Sequence, residues 1–159
     1  MPMPGPTKPF RLALGATLLA AAAVSAADDH RAKINYMLYC QGCHLPAAEG
    51  VGDKVPRMSG FVGYFTHSEE GRRFLIQVPG SATAPVNDEQ LAELMNWILK
   101  TYSRDELADG FEPYTVAEVA ELRRSPDTDP AARRRQILDT LSESNQALRQ
   151  TLSQFASSQ

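Results

Sequence analysis

Five consecutive residues, Cys40-Gln41-Gly42-Cys43-His44, constrain this chain more than any other feature. They form a C-x-x-C-H segment, in which an imidazole directly follows the second of two closely spaced thiols. At the end of a helix, both thiols can reach the two vinyl groups at one edge of a porphyrin and form thioethers with them. The imidazole then lies under the ring, where a neutral nitrogen binds iron. The segment therefore predicts one covalent haem c, attached through Cys40 and Cys43, with His44 as the proximal iron ligand.

Other uses of the two cysteines fit this chain less well. A thioredoxin-like C-x-x-C belongs in the turn between a strand and a helix, and no segment before Cys40 has the pattern of a strand. A zinc site needs four ligands, and only His30 and His67 remain to complete the set. An exported protein with two cysteines usually forms a disulfide, but the C-x-x-C-H spacing favours haem attachment.

The first 27 residues have the composition of a secretory signal peptide. Lys8 and Arg11 form a short basic region, residues 12–24 are mostly Ala and Leu, and small residues around Ala26 provide a cleavage site. The apolar run is shorter than the ~20 residues that cross a bilayer, so no membrane span is expected after cleavage. We therefore expect export to the periplasm, where the haem would be attached.

The mature chain, from about residue 28, is acidic. Without Lys8 and Arg11, 14 basic residues stand against 19 acidic ones, which leaves a net charge of −5. This balance excludes a generic nucleic-acid surface. It favours partners that present a basic docking patch, because complementary charge sets the rate and orientation of encounter.

Helical patterns flank the attachment segment on both sides. Residues 28–39 predict a helix with one apolar face, and the residues 45–63, rich in Gly, Pro and charge, predict a loop over the haem edge. Thr66 with Glu69 predicts a capping box that opens a short helix. Asn87 with Gln90 predicts the cap of a longer helix. Its apolar residues recur at helical spacing: Leu91, Leu94, Met95, Trp97, Ile98 and Tyr102.

The order of these segments over about residues 28–104 resembles class I cytochrome c, an all-α family whose helices pack around one covalent haem. In that family a Pro-x-Leu-x-Gly segment follows the ligand His, and its Pro carbonyl accepts a hydrogen bond from the second ring nitrogen. Residues 56–60 read Pro-Arg-Met-Ser-Gly. The resemblance implies that Pro56 fixes the tautomer of His44. It also implies that Trp97 packs against the first helix and the haem.

The resemblance further implies a carrier of single electrons rather than an enzyme. Outer-sphere transfer needs no side chain acting as acid, base or nucleophile. The expected partners are redox proteins with a basic docking surface, namely a periplasmic dehydrogenase, other cytochromes or a terminal oxidase.

The resemblance fails at the sixth ligand of the iron. Small bacterial members of the family provide a Met shortly before the last helix, and the corresponding residues 81–84 contain none. His67 and Met58 are the candidates, and Met95 is less favoured because the apolar stripe of its helix explains it as packing. An iron without a distal protein ligand is the other alternative. It would fit a haem enzyme subunit, or a gas or redox sensor with an open distal site.

Residues 105–159 form an extension beyond the region of resemblance. Thr115 with Glu118 predicts a capping box for a short helix that ends near Arg124. Asp129-Pro130 predicts the start of a longer helix. The chain thus divides into a signal peptide (1–27), a cytochrome c domain (28–104) and a helical C-terminal extension (105–159).

The last predicted helix carries apolar residues at alternating three- and four-residue steps, which is typical of a short coiled-coil seam. These residues are Leu138, Leu141, Leu148, Leu152 and Phe155, with Asn145 in the missing place. We expect this helix to rest on the haem domain, and weak self-association or docking through the seam is the alternative. The basic cluster Arg133-Arg134-Arg135 is expected on a solvated face.

Overall fold

The fold comes from a computed structural model that describes Met1 and residues 28–52 and 54–157. The signal-peptide prediction falls on residues 1–27 and, apart from Met1, lies outside the described residues. Within the described ranges the regular structure is helical, and the only β-type pairing is an isolated bridge between Val51 and Val55. The prediction of an all-α, cytochrome c-like fold is therefore confirmed.

The helices follow the chain in the order expected from the sequence. They are α1 (28–39), α2 (Gln41–His44), α3 (Glu69–Gln77), α4 (Pro79–Ala82), α5 (Asp88–Tyr102), α6 (Val116–Leu122), α7 (Pro130–Ser144) and α8 (Gln146–Ser157). Two 3₁₀ segments, Val62–His67 and Arg104–Glu106, connect them. No helix in the described part of the chain is long and apolar enough to span a membrane.

Three predicted helix caps are present in the structure. Asn87 forms a full capping box with Gln90, because the Asn87 side chain accepts from the Gln90 N–H at 2.8 Å and the Gln90 side chain accepts from the Asn87 N–H at 3.1 Å. Thr115 and Asp129 each accept a backbone N–H at the start of α6 and α7. At α6 the Glu118 side chain is bound to Arg72 instead of closing a capping box.

The predicted cap at Thr66 is wrong. Helix α3 is capped by Ser68, whose Oγ accepts from the Gly71 N–H at 3.0 Å. Thr66 lies inside the 3₁₀ segment, where its hydroxyl donates to the Gly63 carbonyl at 2.7 Å and accepts from the Ala108 N–H at 2.9 Å. The tight 3₁₀ turn directs the Thr66 hydroxyl back along the chain, so the helix begins two residues later.

The single long helix predicted after Pro130 is also wrong. Asn145 has an extended backbone and ends α7, and its Oδ1 accepts from the Leu148 N–H at 2.9 Å to open α8. This break lets both helices fold back on the rest of the chain. Their apolar residues Ile137, Leu138, Leu141 and Leu148 are buried in the same core as the residues of α3 and α5. The supposed seam therefore packs within the chain.

Arg72 joins α3 to the extension. Its guanidinium forms a bidentate pair with the Glu118 carboxylate, at 2.6 and 2.8 Å, and donates to the Glu112 carbonyl at 2.6 Å. It also lies 4.1 Å from the centre of the Tyr114 ring. The Tyr114 hydroxyl in turn donates to the Arg72 carbonyl at 2.7 Å. These contacts make residues 112–118 an integral part of the fold.

We expect Arg72→Met to lower the free energy of unfolding by about 2 kcal/mol, because the partly buried Glu118 carboxylate would lose its charged partner. Urea unfolding followed by circular dichroism measures this difference. Arg73→Met is the matched control, since Arg73 is exposed on the same helix. Equal stability of the two variants would show that the Arg72 contacts contribute nothing.

Candidate functional site

A cavity of about 580 Å³ lies beside the Cys40–His44 segment. Its volume is within the ~300–1,000 Å³ range that is typical of sites for small molecules and cofactors. Most of its wall is apolar and comes from the 3₁₀ segment, α3 and α5. The apolar residues of these elements are Val62, Phe65, Phe74, Leu75, Leu91, Leu94, Met95 and Ile98.

Both cysteines line this cavity as free thiols. Cys40 directly follows α1, and its N–H donates to the Tyr36 carbonyl at 2.9 Å. Since α2 begins at the next residue, the thiols of Cys40 and Cys43 lie one helical turn apart at the same side of the cavity. Burial raises the pKa of the Cys40 thiol to about 11, and the neighbouring Cys43 adds to the effect. Two thiols in this arrangement fit the two vinyl groups of a haem.

His44 also lines the cavity. Its Nδ1 lies 3.0 Å from the Pro56 carbonyl oxygen, so Nδ1 carries the proton and donates, which leaves Nε2 as the atom with a free lone pair. Burial lowers the pKa of His44, and the bond to Pro56 opposes this shift. A neutral imidazole held by a backbone carbonyl is the form that binds iron. The Pro56 contact that the resemblance implies is therefore present.

Gly50 allows the loop to bring Pro56 to His44. Its φ is +72°, and a Cβ at this position would lie 2.4 Å from the Val55 carbonyl oxygen and 2.9 Å from the Pro56 carbonyl carbon. Only glycine fits such a close approach of two backbone segments. The loop therefore turns back on itself directly beside the ligand histidine.

Trp97 does not line the cavity, contrary to its expected packing against haem. Its ring instead lies 5.6 Å from the Tyr36 ring of α1 and 5.4 Å from the Tyr102 ring, measured between centroids. The periodicity of α5 explains this, because Leu94 and Ile98 face the cavity and Trp97 is about 100° away around the helix. The expected packing against the first helix is observed.

The structure separates the candidates for the sixth iron ligand. His67 is not among the residues that line the cavity, and its Nε2 lies 3.0 Å from the Glu106 carbonyl oxygen. Met58 and Met95 both line the cavity. The Met95 sulfur lies 3.9 Å from the Ser81 hydroxyl, at the segment where related proteins carry their ligand.

Sequence reasoning missed the first turn of α7. Pro130, Ala131, Arg134 and Arg135 line the cavity, although the arginine cluster was expected on a solvated face. That expectation is wrong also for Arg133, which pairs with Glu70 and Asp127 at 3.7 and 3.5 Å. No local pattern signals this placement, because it arises from the packing of α7 on α3 and the 3₁₀ segment.

Comparison with known proteins agrees with this site. No protein-family profile matches the sequence. Cytochrome c-552 of Thermus thermophilus is 29% identical over 102 residues, which cover 53% of this chain and 78% of the relative. A second cytochrome c-552, from another record of the same species, is 30% identical over 102 residues, which cover 53% of this chain and 69% of the relative. The chain therefore belongs to the c-type cytochromes, electron-transfer proteins that bind haem c covalently and act with redox partners.

Proposed function

We propose that this protein is a periplasmic carrier of single electrons with one haem c, bound by Cys40 and Cys43 and ligated by His44. The observation that carries the proposal is that both thiols and the His44 ring line one apolar cavity. The haem supplies the one-electron couple. The chain would hold it, orient the ligand through Pro56 and exclude water, which keeps rearrangement between the two oxidation states small.

The proposed route for electrons is the haem edge next to the thiols. Cys43 is exposed, and the neighbouring α1 residues Met37, Leu38 and Tyr39 are 53%, 65% and 45% exposed. Exposed apolar side chains around a cofactor edge are suited to brief contacts with another protein. The acidic mature chain would add complementarity to a partner with a basic docking surface, such as a dehydrogenase, another cytochrome or an oxidase. A signal peptide at residues 1–27 and a haem domain at 28–104 belong to the same proposal.

We place Met95 at the sixth coordination position. Met58 follows Pro56 by two residues and therefore comes from the segment that holds the proximal histidine. Met95 comes from α5 and reaches Ser81, on the segment that carries the ligand in related proteins. A thioether there would favour the reduced state and close the iron to small molecules.

Met95→Leu is expected to abolish the near-infrared charge-transfer band of Met-ligated ferric haem and to open the reduced iron to carbon monoxide. Met58→Leu is the matched control and should leave both properties unchanged. Absorption spectra of the oxidised and reduced proteins, with and without carbon monoxide, measure both. If only Met58→Leu alters the spectra, then Met95 is not the ligand.

The spectrum of the unaltered protein tests the proposed function itself. A low-spin spectrum that carbon monoxide does not change supports the electron carrier. A high-spin iron that binds carbon monoxide readily would favour a haem enzyme subunit or a gas sensor, for which the absence of Met from residues 81–84 is the supporting observation.

A further inference from the structure

The cavity has a strongly positive lining in an otherwise acidic protein. Four basic residues line it, namely Lys54, Arg57, Arg134 and Arg135, and no Asp or Glu of the described residues does so. The whole chain carries a net charge of −3, so this imbalance does not follow from composition. A cavity with such a lining is suited to a ligand that is apolar over most of its surface and carries negative charge at one edge.

Arg134 has the most unusual surroundings of these four residues. Its guanidinium carbon lies 5.1 Å from the centre of the buried Phe61 ring and 6.0 Å from that of Phe65. Burial lowers the pKa of the Arg134 guanidinium. Among the described residues no carboxylate forms an ion pair with it.

The neighbouring arginine shows what a compensated charge looks like on this helix. Arg133 lies between the carboxylates of Glu70 and Asp127. A partly buried guanidinium without an anion is unfavourable, because it loses hydration and gains no opposite charge in return. The aromatic contacts of Arg134 offset only part of this cost. The anion that compensates Arg134 therefore comes from outside the described chain.

We propose that Arg134, with Arg135 beside it, binds a propionate carboxylate of the haem, so that the C-terminal extension completes the haem site. The inference rests on the proposed binding of haem in this cavity. The planar guanidinium of Arg134 suits a bidentate contact with a carboxylate. A cation at this position favours the less positive Fe(II) state and holds the propionate ionised. The extension thereby raises the reduction potential.

The test compares Arg134→Gln with Arg133→Gln, two variants that remove the same charge from adjacent positions of α7. We expect Arg134→Gln to retain covalent haem and to lower the equilibrium constant for reduction about tenfold, which is about 59 mV for a one-electron couple. Arg133→Gln should change the constant by less than about twofold. Spectroelectrochemical titration measures both potentials.

The dependence of potential on pH provides a second readout. In the unaltered protein the propionate beside Arg134 stays ionised, so the potential changes little from about pH 5 to pH 8. In Arg134→Gln the propionate pKa rises into this range, and the potential increases as the pH falls. Arg134→Lys keeps the charge and should restore most of the potential.

Equal shifts in the two glutamine variants, or no shift in either, would overturn the inference, because a general loss of charge or another propionate partner would then explain the data. If Arg134→Gln does not fold, nuclear magnetic resonance of the labelled unaltered protein decides. The Arg134 Nε–H signal should move between the oxidised and reduced states far more than that of Arg133, and equal movement contradicts the inference. Absence of covalent haem from the unaltered protein would instead contradict the proposed function.

Discussion

Replacing both Cys40 and Cys43 with alanine will abolish covalent attachment of haem to this chain. Each thiol lines the cavity and neither is part of a disulfide, so both are available to form a thioether. Haem staining after denaturing electrophoresis, and the α-band of the pyridine haemochrome, measure attachment. The unaltered protein should stain, and the double variant should not.

Single substitutions sharpen this test. Cys40→Ala and Cys43→Ala each leave one thioether, so the haemochrome band should move toward longer wavelength and staining should persist. Gln41→Ala is the matched control, because Gln41 lies between the two cysteines and does not line the cavity. Staining of the double variant, or loss of staining in Gln41→Ala, would contradict attachment through these two thiols.

Gly71→Ala is expected to lower the free energy of unfolding by about 3 kcal/mol, the upper part of the range for overpacked cores. A Cβ at this buried position would lie 2.2 Å from the Phe65 carbonyl oxygen and 3.0 Å from the Phe65 Cα. Both atoms are backbone, so α3 and the 3₁₀ segment would have to move apart. Phe65 and Phe74, whose stacked rings lie 5.3 Å apart and line the cavity, would move with them.

Urea unfolding of the haem-loaded protein measures this destabilisation, and the haem absorption reports the damage to the site. Arg73→Ala is the control, since Arg73 lies two residues further along the same helix and is exposed. It should change stability by less than about 0.5 kcal/mol. A Gly71→Ala protein that unfolds at the same urea concentration as the Arg73→Ala protein would show that the backbone accommodates the extra methyl group.

The sequence predicted those parts of the site that depend on neighbouring residues. The thiols and imidazole of the Cys40–His44 segment lie within five consecutive residues, and α2 carries them to one cavity. The Asn87 capping box was predictable for the same reason, because its hydrogen bonds join residues three positions apart. The Thr66 pattern misled because the preceding residues form a 3₁₀ turn. A capping pattern predicts a helix start only where the chain before it is extended.

The Pro56 contact came from the resemblance and could not be derived from local patterning. It depends on the loop turn at Gly50, which brings two backbone segments into contact. Trp97 illustrates the opposite case. The helical period of α5 was evident from the sequence, but the side of the helix that faces the cavity depends on where α1 and Tyr36 lie.

By itself the sequence determined the covalent chemistry of the cavity, the helical class and most helix starts, because spacing, caps and periodicity act over a few residues. Only the tertiary structure decided what surrounds the Cys40–His44 segment. The break at Asn145 lets α7 fold back, and this packing carries Arg134 to the cavity and Arg133 to Glu70. These contacts join residues far apart in the chain, and their free energy depends on burial and charge compensation that exist only once the core has formed.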